Sequence, residues 1–122
     1  MEVKLEVRTD HVFVAFVGPI SLPIVHEAQR QAIDAAVDSG LHLILFDWSA
    51  AGGFLTTEQR LENADIALAY ARTKTWKTPP RVAIVGHFPM INGLAAAVVS
   101  NQGFKTRTFS DERQALDWLM KT

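Results

Sequence analysis

At 122 residues, with 48% hydrophobic and 20% charged residues, the chain has the length of one domain and the composition of a protein that folds around a single core. Its 12 Lys and Arg against 13 Asp and Glu leave a formal net charge of -1, so no global field draws in nucleic acid or an anionic membrane. With no cysteine, disulfide frameworks, thiol catalysis and thiolate metal sites are excluded, and a reducing cytoplasm is the simplest home.

Val3, Leu5 and Val7 alternate with Lys4, Glu6 and Arg8, the pattern of a half-buried strand rather than of a signal peptide's continuous apolar region. Thr9 and Asp10 suit a tight turn into a second, almost wholly apolar strand, His11 to Val17, ended by Gly18 and Pro19. Ser21 is placed to cap a helix with Pro23 in its first turn. Val25, Ala28, Ala32 and Ala36 form that helix's buried stripe, and Gly40 stops it. Leu41 to Phe46 is a short apolar run of the kind covered on both faces in an α/β sheet, with Asp47 at its end. No apolar stretch approaches the roughly 20 residues that span a bilayer, the longest being broken by His42, Asp47 or Asn92.

Residues 48 to 55 read as a glycine-containing loop, after which Thr56 and Gln59 make a capping box for a helix running to about Arg72. A polar connection from Thr73 to Pro80 leads to a buried strand, Arg81 to Gly86, and a third helix begins near Met90. Gly103 stops it, Phe104 to Phe109 alternates as a strand, and Ser110, Asp111 and Glu112 open a last helix whose stripe is Ala115, Leu116 and Leu119. The order is ββαβαβαβα. Right-handed crossovers then build a mostly parallel five-stranded sheet with one antiparallel strand, packed by four helices in one domain over residues 1 to 122.

That order resembles the STAS fold, and more closely the SpoIIAA-like family of small bacterial proteins, related in fold to the CRAL-TRIO lipid-transfer domain. The segment Arg81 to Gly86 looks like the family's fourth strand, and Lys105 to Phe109 with Ala115 to Leu119 like its closing strand and helix. In anti-sigma-factor antagonists an Asp ends the third strand, and a serine in an Asp-Ser-Ser-Gly loop at the next helix start is phosphorylated by a partner kinase. Asp47 matches the acid and Ser49 lies two residues on. The loop reads Leu55-Thr56-Thr57-Glu58, without the preceding acid or the glycine. The resemblance therefore makes Thr56 and Thr57 the candidate phosphorylation sites.

In open α/β sheets ligands bind beyond the carboxyl ends of the parallel strands. That edge gathers Asp47, Ser49, Gly53, Phe54 and Thr56 after the third strand and His87, Phe88, Met90 and Asn92 after the fourth. Its apolar share, with Trp76 in the polar connection nearby, suits a small amphipathic or lipid-like ligand or a protein partner. Asp47 and His87 are the pair from which a weak hydrolase could be built, with Ser49 as nucleophile, but the glycine-flanked elbow of such serines is missing. His11, His26, His42 and His87 have no metal-ligand spacing, and the segment Gly86 to Gly93 lacks both the dinucleotide fingerprint and the P-loop lysine. No metal or cofactor is expected. Lys74, Lys77 and Arg81 read as a solvated basic cluster, and the edge strand Val3 to Arg8 as one that could pair with a second copy to form a homodimer. The functional expectation is a non-enzymatic, cytoplasmic binding domain. The alternative is an antagonist-type regulator switched at Thr56 or Thr57.

Overall fold

The computed structural model describes residues 1–87 and 104–121. The alternating segments form β1 (Glu2–Val7) and β5 (Lys105–Phe109), and the apolar runs form β2 (Val12–Pro19), β3 (Leu43–Gly52) and β4 (Arg81–Val85). The helices among the described residues are α1 (Leu22–Asp38), α2 (Thr57–Arg72) and α3 (Glu112–Leu119). The further helix expected from Met90 lies outside the described residues. The five strands form one mixed sheet in the order β1-β2-β3-β4-β5. The hairpin pair β1–β2 is antiparallel, and β2–β3, β3–β4 and β4–β5 are parallel.

Each parallel step needs a crossover that buries one sheet face. α1 supplies the first, laying Val25, Ala28, Ala32 and Ala36 on Val12, Val14 and Phe16 of β2 and on Ile44 and Phe46 of β3. Ser21 is its N-cap residue, but the serine side chain makes no capping bond, so the start rests on the proline in its first turn. Gly40, in the left-handed region at φ +69°, ends it. The opposite sheet face carries Phe13, Leu43, Leu45, Ala83 and Val85, closed over by Ala115 and Leu119 of α3. Arg81 ties that helix down. Its guanidinium donates to the carbonyls of Trp118, at 2.7 Å, and of Lys121, and lies 4.5 Å from the Trp118 ring centre.

α2 packs on α1, and a polar link fixes the two. Tyr70 donates its hydroxyl hydrogen to Asp34 at 2.7 Å, and the Lys74 ammonium lies 3.0 Å from the same carboxylate. The Tyr70 hydroxyl, and then Lys74, hold the Asp34 carboxyl below its ordinary value of 3.8.

Two expectations follow from this packing. Phe16 is wholly buried, its ring 6.1 Å from that of Phe46 and 4.5 Å from that of Trp48. Phe16→Ala should therefore cost about 3 to 5 kcal/mol, read as a lower urea midpoint. Tyr70→Phe should cost about 1 kcal/mol at neutral pH, at the modest end because the Asp34 side chain is 44% exposed. A carboxylate whose folded pKa lies below its unfolded value stabilises the fold above the unfolded value and loses that contribution as pH falls through the folded one. The stability gap between wild type and Tyr70→Phe should thus close below about pH 3.8, the unfolded value. Urea melts at pH 7 and in acid would show it.

Candidate functional site

β3 is longer than its sequence pattern indicates. It does not end at Asp47 but continues to Gly52, and past Asp47 its strand neighbour among the described residues is β2 alone. The register moves from Ala15↔Asp47 to Val17↔Ala50, so two residues of β3, Trp48 and Ser49, stand opposite the single residue Phe16. Such a bulge leaves an extra residue outside the ladder and bends the strand. Trp48 turns into the core against Phe16, and Ser49 turns out to solvent. The Asp47 carboxylate accepts the Ser49 backbone N–H at 2.9 Å and the Ser49 hydroxyl at 2.6 Å, which satisfies the displaced residue.

Gly53 turns the chain out of β3 at φ +85°, a conformation that strains any residue with a Cβ. Phe54 follows with 72% of its surface exposed, and Leu55 then drops back into the core. Phe54 thus stands exposed between a left-handed glycine and a buried leucine.

Thr56 caps α2. Its Oγ1 accepts the Gln59 backbone N–H at 3.1 Å, and its own N–H donates to Gln59 Oε1 at 2.9 Å, the reciprocal pattern expected from Thr56 and Gln59. Glu58 places negative charge in the first turn, where the helix dipole favours it. Thr57, the first helical residue, is exposed and takes no part in the box. Asp47, Ser49, Gly53, Phe54 and Thr56 thus belong to one stretch of β3 and its turn into α2.

The second half of the expected crevice is represented by His87, which is exposed, beyond the end of β4. Phe88, Met90 and Asn92 lie outside the described residues. Among the described residues no hydrogen bond or ion pair joins Asp47 to His87, and the carboxylate is engaged by Ser49 instead. Among the described residues no three His, Cys, Asp or Glu side chains converge as a metal site would require. No helix among them is long and apolar enough to cross a membrane.

The bulge was hidden in the sequence because Asp, Ser, Ala and Gly after Phe46 are the composition of a loop. A second feature carries no local sequence signal, a cavity of about 240 Å³ at the opposite end of the sheet, bounded by Val37, Leu41, His42 and Trp76. Trp76 belongs there and not to the β3–α2 corner. It packs against the core, and its indole N–H donates to the Ala71 carbonyl at 2.9 Å. The basic residues also separate, Lys74 to Asp34 and Arg81 to the end of α3.

No family model and no curated protein matches the chain. Solved structures do. An anti-sigma factor antagonist from Mycobacterium paratuberculosis is 21% identical and superposes with a TM-score of 0.63, over 98% of this chain and 94% of that one. The anti-sigma factor antagonist SpoIIAA in its unphosphorylated form is 15% identical, with a TM-score of 0.58 over 99% of this chain and all (100%) of that one. This chain has the SpoIIAA-like fold. An uncharacterized protein with a SpoIIAA-like fold from Shewanella loihica PV-4 is similar as well, at 23% identity and a TM-score of 0.57, over 97% of this chain and 92% of that one.

The capping geometry separates the two threonines. Thr56→Ala in this SpoIIAA-like domain should lower stability by about 1 kcal/mol, whereas Thr57→Ala should stay within about 0.5 kcal/mol of wild type. Paired thermal melts decide it.

Proposed function

We propose that this SpoIIAA-like domain is a non-enzymatic regulatory module that docks a protein partner with its β3–α2 corner. The observation that carries this is Phe54, 72% exposed between Gly53 and the buried Leu55, just before a helix N-terminus that offers Thr56, Thr57 and Glu58. An exposed aromatic residue followed in sequence by polar ones has the composition of an interface hot spot. Two structures with the same fold are anti-sigma factor antagonists, a name that implies a protein partner for them.

A second reading, a phosphate switch at the same corner, is supported by the placement of Thr57. A phosphate there would gain from the positive end of α2 and add about -1.5 to -2 charges beside Phe54. Thr56 suits modification less, because its Oγ1 already accepts the Gln59 N–H.

The test is affinity capture from extracts of the source cells with wild type and Phe54→Ala, alongside native and denaturing mass spectra of the purified protein. A partner retained by wild type and lost by at least tenfold from Phe54→Ala, with unchanged melting, supports the docking corner. Equal retention by both overturns it, and a small-molecule mass that leaves on denaturation would replace it with the ligand reading. One covalent phosphate on Thr57 would establish the switch.

A further inference from the structure

The outer edge of β1 ends the sheet, and among the described residues no strand covers it. The Arg8 N–H donates to the His11 carbonyl at 2.9 Å, and the ladder then runs Glu6↔Phe13, Lys4↔Ala15, Glu2↔Val17. In an antiparallel ladder the bonded pairs alternate. The main-chain groups of Glu2, Lys4, Glu6 and Arg8 therefore point to β2, and those of Val3, Leu5 and Val7 point outward. The side chains alternate as well. Val3, Leu5 and Val7 share the face of Phe16, Val14 and Val12 under α1, while Glu2, Lys4 and Glu6 lie on the other face. Val7 keeps 51% of its surface exposed although its cross-strand partner Val12 is wholly buried.

We propose that β1 pairs antiparallel with β1 of a second copy about a two-fold axis through Leu5, continuing the sheet through both chains. Only Val3, Leu5 and Val7 offer outward N–H and C=O groups, so they must pair among themselves. That leaves registers differing by steps of two residues. Centred on Leu5, the register bonds Leu5 to Leu5 and Val3 to Val7 of the second copy. It also sets Lys4 against Glu6 and Glu2 against Arg8, in the closer, non-hydrogen-bonded positions where side chains approach best.

The neighbouring registers fail on charge. Centred on Lys4, they oppose Lys4 to Lys4 and Glu2 to Glu6. Centred on Glu6, they oppose Glu6 to Glu6 and Lys4 to Arg8. Like charges directly opposite are destabilising, so the sequence Glu2-Val3-Lys4-Leu5-Glu6-Val7-Arg8 rejects both neighbouring registers. Those centred on Val3 or Val7 match Glu2 with Lys4 or Glu6 with Arg8 but leave one of the three valine and leucine positions outside the shared ladder, so the Leu5-centred register is the one that engages Val3, Leu5 and Val7 together. Alternating charge on an edge strand blunts random pairing, and here the same charges complement a second copy.

Lys4 is the more exposed of the pair, while Glu6 is already shared between Lys4 and Arg8, each 3.2 Å away. Lys4 is 70% exposed on its side chain and its 3.2 Å contact with Glu6 is within one strand, an arrangement that can be shared across the axis without burying charge. Arg8 is more constrained, lying over the Phe13 ring and 3.7 Å from Glu112, so the Lys4–Glu6 pairs carry most of the discrimination. Val7 would close on Val3, which accounts for its exposure in the single copy.

The test uses the whole chain in light-scattering chromatography. Wild type should run at twice 13.5 kDa. Lys4→Glu alone and Glu6→Lys alone should each dissociate at least tenfold more readily, because each sets like charges across the axis. Mixed in equal amounts, the two variants should form a heterodimer. Both acidic side chains of the Lys4→Glu chain then face the two ammonium groups of the Glu6→Lys chain. This recovery reads the intermolecular register, which a purely local effect on the strand would not restore. A wild type that stays at 13.5 kDa at its highest soluble concentration, or a mixture no more dimeric than its components, would overturn the proposal.

Discussion

The central position of β3 governs the rest of the molecule. A parallel strand between two parallel neighbours is reached by crossovers that cover its faces, so it must be apolar on both. β3 meets that demand with Leu43 and Leu45 on the side of α3, and Ile44, Phe46 and Trp48 on the side of α1. Phe16 of β2 holds the second set together by touching both Phe46 and Trp48. The bulge follows from the same contact. Trp48 enters the core where it can meet Phe16, and the displaced Ser49 is satisfied by Asp47. The exposed corner is thus a consequence of core packing, since the bent end of β3 aims the Gly53 turn and Phe54 outward.

The Asp47 carboxylate holds that bend. It stands opposite Ala15, just before the bulge, and its Oδ1 accepts both the backbone N–H and the hydroxyl of Ser49. A bend closed by its own hydrogen bonds loses less entropy when a partner docks.

Much of the fold was legible in the sequence because local and global preferences agree. The stripe Val25, Ala28, Ala32, Ala36 is wholly or nearly wholly buried, Thr56 and Gln59 form their box, and Asp111 caps the last helix by accepting the Gln114 N–H. Illegibility began where one residue type serves two purposes. Asp47, Ser49, Gly52 and Gly53 have loop composition, yet only the last of them leaves the strand. The link from Tyr70 and Lys74 to Asp34 spans two helices, and no local pattern announces a contact 36 residues apart in sequence. Ser21 shows the converse. It stands at the N-cap position its sequence context indicates, yet makes no capping bond, because a proline-started helix holds without it.

The edge of β1 and the β3–α2 corner are also connected geometrically. The end of β3 runs beside Val17, Gly18 and Pro19 of β2, and Val17 in turn lies opposite Glu2, so the corner sits at the amino end of β1. Antiparallel pairing about Leu5 places those amino ends at opposite ends of the shared edge. Two copies would then present their Phe54 corners away from each other, each open to its own partner. Dimerisation would add valency without occluding either corner, and avidity toward a partner that is itself paired follows from that geometry alone.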